Sequence, residues 1–406
     1  MLNPEPVVTP DHIPKELIQE FPLVMGAFTD ENPFTRIVPE ACEGPDAIYA
    51  SNALPVGMGG AWLFRRQEDM KLIYNDTEHF TNKGFTPYAK VVGESWELVP
   101  AEQDPPQHTF YRLLLAPMFS PKAINALEKN IRQIAIDCIA TFKDNSECDF
   151  VKEFTSRYPI AVVLNLLALP IERLEEFLQW EALLLQAATI EDMQDGVRKV
   201  TGYLREVIKE RQANPGEDLI SFAINAEVNG KKMTDDELLG YAFNFFIGGL
   251  DTVTANLGNF FRHFAEDQDN QRILREDPSK IRIAIEELLR VFGPVTTVRV
   301  CSKETTIAGV TLKPGDAVWM CTTTANRDAD TYDEPHAVKL DRNPMHVSFA
   351  SGPHHCLGVR LARLEFRVAM EEVFKAIPQF RLKQGAKISS SLGPVIQPMS
   401  LPITWA

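Results

Sequence analysis

The stretch that decides the fold is Phe349-Ala350-Ser351-Gly352-Pro353-His354-His355-Cys356-Leu357-Gly358, in which a single cysteine follows a glycine-containing loop. A thiolate that ligates haem iron needs backbone N–H groups aimed at its sulfur, and Gly352 and Gly358 allow main chain and porphyrin to approach closely. A helix predicted from about Leu357 to Ala376 adds the positive end of its dipole. The alternative is a buried free cysteine in a turn. The ten-residue context favours Cys356 as a haem ligand.

Composition narrows the class of protein. The 406 residues contain no segment resembling a flexible linker, so we expect one domain, 1-406. The six cysteines show no Cys-x-x-Cys pair, which argues against a zinc ribbon or a disulfide framework. A net charge of −15 disfavours nucleic acid and anionic lipid as partners. The segment Pro4 to Asp30 lacks the apolar run of a signal peptide or membrane anchor. We therefore expect a cytoplasmic monomer.

Hydrophobic periodicity predicts a mainly α fold with a minor β portion. The β-rich parts are roughly 45-75 and 295-325 with 379-401, and the helical parts are roughly 105-292 and 357-376. Predicted helices cover Ala123 to Thr141, Phe150 to Leu167, Ile171 to Gln186, Met193 to Gln212, Leu219 to Ala226 and Asp235 to Asp267. The last of these begins with a Thr234/Glu237 capping box and would be roughly 45 to 50 Å long. Because its middle is apolar on nearly every face, we expect it to cross the core.

A second motif interrupts that central helix. Gly248-Gly249-Leu250-Asp251-Thr252 places two glycines and an acid-alcohol pair in an apolar sequence, although each glycine costs about 1 kcal/mol relative to alanine. A flat group packed on the backbone, or a local opening of the helix, would explain that cost. Thr252 can then hydrogen-bond iron-bound oxygen and Asp251 can relay protons. The alternative is that the glycines only allow close helix packing while Asp251 pairs with a base.

Two sets of charged residues complete the pattern. Glu287 and Arg290 share one helix face at i and i+3, and Arg342, upstream of the cysteine loop, could complete a structural Glu287-Arg290-Arg342 cluster. The cations predicted to hold two propionates are His108, Arg112, Arg299 and His354. Arg299 stands in an apolar strand-like run, where a charge needs a partner. Each cation alone could equally be a solvated or locally paired side chain.

These residues together resemble the cytochrome P450 family over nearly the full length. The cysteine loop is similar to the family's Phe-Gly-x-Gly-x-Arg/His-x-Cys-x-Gly signature. The other matches are the pair Asp251-Thr252, the Glu287/Arg290 helix, Ala325-Asn326-Arg327-Asp328, and Asp104-Pro105-Pro106-Gln107-His108 through Arg112. The resemblance implies the cytochrome P450 fold, a long central helix over haem b, and Cys356 as axial ligand. It also implies that Gly248, Gly358 and Phe349 border the haem. The departures are Ala350, usually glycine, and Val253, often a second hydroxyl residue.

Within the family, the chain resembles the soluble bacterial camphor-hydroxylase branch. Where that branch has a ketone-binding tyrosine, this chain has Trp96, whose indole N–H lies elsewhere and whose ring is larger. We therefore expect a related terpenoid or norisoprenoid ketone, such as an ionone, rather than camphor. Trp96 as ordinary core filler stays an alternative. The expected pocket comprises Phe85, Trp96, Asn244, Ile247, Gly248, Val295, Thr297, Val395 and Ile396.

The resemblance implies a monooxygenase that inserts one atom of dioxygen into a C–H bond. The sequence has no flavin or nucleotide fingerprint, so electrons would come from a two-iron two-sulfur ferredoxin with an NAD(P)H-dependent reductase. A basic docking face could involve Arg112, Arg342, Arg360 and Arg363, which could equally be ordinary solvated arginines. The alternatives are a peroxide-dependent haem-thiolate hydroxylase and a non-catalytic haem sensor. The Asp251-Thr252 pair argues against both, because neither would need it.

Overall fold

The computed structural model describes residues 9–23, 26–53, 60–187 and 189–406, so part of the segment Pro4 to Asp30 lies outside the described residues. The helices are α1 (Ile37–Cys42), α2 (Gln67–Asn75), α3 (Tyr88–Val91), α4 (Gln107–Leu115), α5 (Pro121–Ala140), α6 (Arg157–Leu166), α7 (Leu174–Leu185), α8 (Ile190–Ala213), α9 (Leu219–Asn225), α10 (Asp235–Gly248), α11 (Asp251–Glu266), α12 (Gln268–Glu276), α13 (Ile281–Phe292), α14 (Thr322–Ala325) and α15 (Val359–Ala376). A π-helical turn at Val151–Thr155 precedes α6, in the region predicted as one helix from Phe150 to Leu167. The mainly α prediction is confirmed.

The strands are short and form a minor part of the fold. They are β1 (Ile18–Gln19), β2 (Phe28–Thr29), β3 (Ala47–Ala50), β4 (Ala61–Phe64), β5 (Phe80–Thr81), β6 (Glu147–Asp149), β7 (Glu227–Val228), β8 (Lys231–Lys232), β9 (Thr296–Cys301), β10 (Thr305–Ile307), β11 (Val310–Leu312), β12 (Ala317–Cys321), β13 (Phe380–Leu382), β14 (Ser390–Ser391), β15 (Gln397–Pro398) and β16 (Pro402–Trp405). The largest sheet has the order β1-β3-β4-β12-β9-β5. In it β12 pairs antiparallel with β9 and parallel with β4, so the two predicted β-rich parts join in one sheet.

The central helix is divided, which corrects the prediction of one continuous helix from Asp235 to Asp267. Helix α10 ends at Gly248 and α11 begins at Asp251, while Leu250 has a ψ of −76° between them. The Thr252 hydroxyl donates to the Gly248 carbonyl at 3.1 Å, which bridges the break. A Cβ on Gly249 would lie 3.0 Å from the Val163 side chain, so close packing against α6 favours glycine there. The predicted capping box at the start of α10 is confirmed.

The two central helices lie in the hydrophobic core. Helix α11 is almost entirely buried and contacts α12, α13, α15, β13 and β15. Strand β15 packs against α11, and this contact brings a distant part of the chain to the helix break. Within the described residues, every helix is too short or too polar to cross a bilayer.

Candidate active site

The cysteine loop is held in a tight conformation by its own backbone. The Cys356 N–H donates to the Phe349 carbonyl at 2.9 Å, and a 3₁₀ turn at Gly352–His354 lies between them. Gly352 has a φ of +68°, and a Cβ there would lie 2.6 Å from the Tyr74 carbonyl oxygen. Glycine is therefore required at this position, since both the left-handed backbone and the lack of space exclude a side chain.

Ala350 also has a left-handed backbone, with a φ of +60°. The cytochrome P450 family, which the sequence resembles, usually has glycine at this position. The left-handed conformation explains this preference, because it costs an L-residue about 1–2 kcal/mol. We expect Ala350→Gly to raise the free energy of unfolding by about 1 kcal/mol. Urea unfolding measures this change. Ala126→Gly, at an exposed position of α5, should change stability in the opposite direction because glycine weakens a helix. Equal losses in both variants would contradict the strain at Ala350.

Cys356 faces a cavity that runs from the start of α15 to the junction of α10 and α11. Gly248 and Thr252 line the opposite side of this cavity. Burial raises the pKa of the Cys356 thiol, while the Gly358 N–H and the charges of Arg112 and Arg363 act to lower it. The site thus already contains the groups that stabilise a thiolate, although desolvation outweighs them.

A cluster of nitrogen donors borders the same cavity. The rings of His108 and His354 are in contact, with centroids 3.9 Å apart and planes tilted by 32°, and Arg112 and Arg299 lie on the cavity wall. His108 Nδ1 and His354 Nε2 are buried and have no hydrogen-bond partner among the described residues. Burial lowers the pKa of His108 to about 4 and that of His354 to about 2, and nearby positive charges contribute. Such a cluster is suited to bind carboxylate groups.

Asp251 and Thr252 are adjacent at the helix break, where Thr252 lines the cavity that contains Cys356 and Asp251 is absent from the lining formed by the described residues. Asp251 is 8% exposed, and Gln397 Nε2 of β15 donates to its Oδ1 at 2.6 Å. In the described part of the chain, Asp251 forms no ion pair with a lysine or arginine. Burial raises the pKa of Asp251 to about 6, and the hydrogen bond from Gln397 opposes this shift. A pKa raised in this direction favours proton exchange closer to neutral pH than for an exposed aspartate, which suits a proton relay.

The structure brings five of the predicted pocket residues to the cavity wall and leaves four away from it. The five are Phe85, Asn244, Gly248, Val295 and Thr297, whereas Trp96, Ile247, Val395 and Ile396 are absent from the lining formed by the described residues. The Trp96 indole N–H donates to Glu94 at 2.6 Å, and its ring packs on Phe243 at 4.9 Å. Its polar atom is thus satisfied by the protein itself, as expected for core filler.

The Asn244 amide is the polar group of α10 that reaches the cavity wall. Its Nδ2 donates to the Val99 carbonyl at 3.1 Å, which fixes the orientation of the amide plane. Tyr74 and Thr297 form a second polar pair, with their oxygens 3.0 Å apart. Apart from these groups, the cavity wall opposite Cys356 is formed mainly by apolar side chains.

Glu287, Arg290 and Arg342 are brought together behind the cysteine loop. Arg290 Nε and Nη2 donate to the two Glu287 oxygens at 2.8 Å, and both residues are 0% exposed. The remaining Arg290 donors bond the carbonyls of Asn326, Pro335 and Ala337. Arg342 Nη1 lies 3.5 Å from Glu287 Oε1. The cluster ties α13 to the irregular segment that leads to the cysteine loop.

The arginines considered for a basic docking face have different surroundings. Arg363 forms an ion pair with Glu286 at 2.7 Å, and Arg342 bonds the Asp333 carbonyl. Arg112 lines the cavity, and Arg360 is exposed on the first turn of α15. The charge of Arg363 is therefore compensated by an acidic side chain, and Arg342 lies 3.5 Å from Glu287, which also pairs with Arg290.

Sequence reasoning missed several buried polar residues at this site. Tyr74 and Glu365 line the cavity, Gln397 donates to Asp251, and Glu181 lies on α7 outside the lining formed by the described residues; all four are largely buried. An acidic residue on an otherwise apolar helix face was a usable signal for Glu181, which lies among Phe177, Trp180 and Leu184. Gln397 had no such signal, because its partner is 146 positions away.

Comparisons with known proteins identify the family. A model described as Cytochrome P450 matches residues 177–391. The protein called Probable cytochrome P450 127A1, from Sinorhizobium fredii, is 33% identical over 405 residues, which cover 98% of this chain and 97% of that protein. The chain belongs to the cytochrome P450 family. Vitamin D(3) 25-hydroxylase of Pseudonocardia autotrophica is 33% identical over 287 residues, covering 70% of this cytochrome P450 and 71% of the relative.

Solved structures agree with this assignment over the whole chain. The crystal structures of cytochromes P450 CYP101C1 and CYP101J2 each match with a TM-score of 0.87, at 27% and 30% sequence identity. Each comparison covers 98% of this cytochrome P450 and 100% of the other chain. The fold and the monooxygenase class of this protein follow.

Cytochromes P450 use haem b, and the residues at this site fit that group. Cys356 supplies a sulfur ligand, and a Cβ on Gly248 would meet no atom within 4 Å, so the opposite wall leaves space for a flat macrocycle. The orphaned His108 and His354 nitrogens and the Arg112 and Arg299 guanidinium groups match two propionates. Cys356 would hold the iron. The cluster of His108, Arg112, Arg299 and His354 would hold the edge of the haem that carries the two propionates.

Proposed function

We propose that this cytochrome P450 hydroxylates a C–H bond of a small terpenoid or norisoprenoid ketone, such as an ionone, in the cytoplasm. The observation that carries the proposal is Thr252 on the wall of the largely apolar cavity that contains Cys356, with the buried carboxyl group of Asp251 next to it in the chain at the helix break. Bound haem supplies the oxygen-activating iron chemistry, which a cysteine thiolate favours by donating electron density. The protein contributes substrate placement and proton delivery.

The substrate class is supported by the balance of polar and apolar groups on the wall. Phe85, Val295 and Gly248 provide apolar surface, while Asn244 and the Tyr74/Thr297 pair offer few hydrogen-bonding groups. An amide that already donates to Val99 keeps a second N–H for a carbonyl oxygen. A compact hydrophobic molecule with one ketone matches this pattern. The relative named as a hydroxylase of vitamin D(3) supports hydroxylation of a hydrophobic molecule in general.

Electrons are proposed to come from a two-iron two-sulfur ferredoxin with an NAD(P)H-dependent reductase. Arg360 lies at the start of α15, close in sequence to Cys356, and is exposed. Because Arg342 and Arg363 are engaged in ion pairs with acidic residues, Arg360 is the member of the predicted basic face best placed to meet an acidic partner.

The proposal is tested with a panel of terpenoid ketones that includes ionones. We expect at least one ketone to convert the haem from low spin to high spin, and to be hydroxylated when ferredoxin, reductase and NAD(P)H are added. Product formation with hydrogen peroxide alone, and none with ferredoxin, would instead indicate a peroxide-dependent hydroxylase. Binding without turnover under either condition would indicate a sensor or carrier.

Thr252→Ala should separate electron consumption from hydroxylation. The hydroxyl positions the transferred proton, so its loss should lower product formed per NAD(P)H by at least about 10-fold while hydrogen peroxide accumulates. Thr252→Ser, which keeps the hydroxyl, should retain most of the coupling. Product, NAD(P)H and peroxide are measured together. Unchanged coupling in Thr252→Ala would remove Thr252 from the proton path.

A further inference from the structure

Several polar groups on the cavity wall are already committed to hydrogen bonds within the protein. The Thr322 hydroxyl donates to the Val295 carbonyl at 2.6 Å, and the Ser348 hydroxyl donates to the Leu289 carbonyl at 2.7 Å. A hydroxyl group has one proton, so neither group donates to a bound molecule while these bonds are kept. The recognition of a substrate oxygen is therefore left to other residues.

A second set of polar groups lies at the cationic end of the cavity. The Tyr74 and Thr297 oxygens are 3.0 Å apart, and the Arg299 guanidinium lies 5.1 Å from the centroid of the Tyr74 ring. The pair keeps one hydroxyl proton for a bound molecule, but beside a positive charge, where a carboxylate is preferred over a neutral oxygen. A ketone oxygen thus needs a donor in the apolar part of the cavity.

Asn244 on α10 offers such a donor. Its Nδ2 donates to the Val99 carbonyl at 3.1 Å, and this is the one hydrogen bond that the amide forms with the described residues. Pro100 and Ala101, which follow Val99 in the chain, line the same wall. A carboxamide has two N–H donors and an acceptor oxygen, so one N–H and the oxygen are free. Because Asn244 is half-buried and lines the cavity, a bound molecule can reach these groups.

The Asn244 amide is held in one place by the packing around it. A Cβ on Gly240, one turn earlier on α10, would collide with the Glu97 carbonyl oxygen, so this part of the chain runs directly against the helix. The buried Glu102 carboxylate accepts from the Leu98 N–H at 2.9 Å, which fixes the same segment. A donor that is already fixed loses little entropy when a ligand arrives. A hydrogen bond to Asn244 can therefore orient a bound molecule.

The position of Asn244 along the cavity determines what such an anchor does. Gly248 lies one turn further along α10, which is about 6 Å of helix rise. The Thr252 hydroxyl donates to the Gly248 carbonyl at 3.1 Å, so the proposed proton donor lies at that end. All three residues line the cavity that contains Cys356. An oxygen bound at Asn244 is thus held away from the place where the C–H bond is oxidised.

We propose that the Asn244 amide binds the substrate oxygen and thereby directs hydroxylation to a carbon several bonds away from it. The free N–H donates to the oxygen, and the apolar remainder of the molecule extends along α10 toward Thr252. Carbon atoms next to the carbonyl group stay near Asn244 and are not oxidised. Asn244 determines specificity and takes no part in the transfer of protons or electrons. The inference rests on the proposed hydroxylation of an oxygen-bearing hydrophobic substrate.

Paired ligands test the anchor at equilibrium. An ionone and its analogue with a methylene group in place of the carbonyl oxygen have nearly the same shape, but only the ionone accepts a hydrogen bond. Asn244→Leu should lower the affinity for the ionone, relative to that for the analogue, by about 3- to 10-fold, the effect of one neutral hydrogen bond. The affinity for the analogue reports any shift of the wall that follows loss of the bond to Val99. The haem spin-state shift measures both affinities.

Two further variants control this measurement. Asn125→Leu, the same change at an exposed position of α5, should leave the ratio of the two affinities as in the wild type. Asn244→Gln keeps an amide at the wall and should retain part of the preference for the ionone. An unchanged ratio in Asn244→Leu would overturn the inference.

Product analysis tests the direction of hydroxylation. The wild type should hydroxylate an ionone at carbons remote from the carbonyl group. Asn244→Leu should give a broader set of products, including hydroxylation of the methyl group next to the carbonyl, because the molecule is no longer held by its oxygen. Hydroxylation next to the carbonyl in the wild type, or the same product distribution in Asn244→Leu, would contradict the proposed anchor.

An iron-binding probe separates failure of this inference from failure of the proposed function. A phenylimidazole binds the haem iron through its ring nitrogen, whatever the natural substrate is. Derivatives with a para-acetyl or a para-isopropenyl group form a pair like that of the ionone and its analogue. If no ketone is hydroxylated but Asn244→Leu removes the preference for the acetyl probe, the anchor stands and only the substrate proposal is lost. If ketones are hydroxylated but neither pair responds to Asn244→Leu, the anchor alone is wrong.

Discussion

Cys356→Ser is expected to abolish hydroxylation while leaving the fold intact. The serine hydroxyl is nearly isosteric, but it cannot supply the sulfur that donates electron density to the iron. Even changes to outer partners of a metal ligand lower activity about 10- to 100-fold, so loss of the ligand itself should exceed about 100-fold. The Cys356 N–H donates to Phe349 through the backbone, so the loop conformation does not depend on the sulfur.

The measurement is the reduced carbon-monoxide spectrum together with turnover. The wild type should show the red-shifted Soret band of a thiolate, and Cys356→Ser should lack it. Cys138→Ser on α5 is the matched control, because burial raises the pKa of that thiol to about 11 and it takes no part in the cavity. A red-shifted band in Cys356→Ser, or its loss in Cys138→Ser, would show that Cys356 is not the ligand.

Local patterns predicted the fold class and much of the chemistry of this protein. The Thr234/Glu237 capping box correctly marks the start of α10, because both partners lie within one helical turn. The short spacing from Phe349 to Cys356 likewise makes the cysteine loop recognisable from the sequence alone. Motifs of this kind can be predicted from the sequence because chain connectivity alone places their residues close together.

Features that depend on distant contacts were predicted less well. The sequence left open whether a flat group or a local opening of the helix explains Gly248-Gly249, and the close approach of Gly249 to Val163 is a contact that periodicity cannot indicate. Gln397 reaches Asp251 because β15 packs against α11. In each case tertiary packing determined the outcome.

Arg290→Lys is expected to destabilise the protein strongly, although the charge is kept. Arg290 uses all its donors, two on Glu287 and three on backbone carbonyls of the segment between α14 and the cysteine loop. A lysine has a single ammonium group and cannot reproduce this planar geometry. Glu287 would then stay buried without its bidentate partner, which costs about 3–5 kcal/mol in comparable buried pairs. Haem should also be lost more readily, since the segment leads to Cys356.

Urea unfolding and the rate of haem transfer to an apoprotein acceptor measure the two effects of Arg290→Lys. The chain offers a matched control in Arg272→Lys, because Arg272 pairs with Asp269 at the same i, i+3 spacing but at the surface. Solvent already hydrates both of those groups, so Arg272→Lys should leave the urea midpoint and haem retention unchanged. Glu287→Gln should resemble Arg290→Lys, since it leaves the arginine buried without a counter-charge. Similar midpoints for Arg290→Lys and Arg272→Lys would mean that burial adds nothing to this ion pair. The anchoring role of the cluster for the cysteine loop would then be wrong.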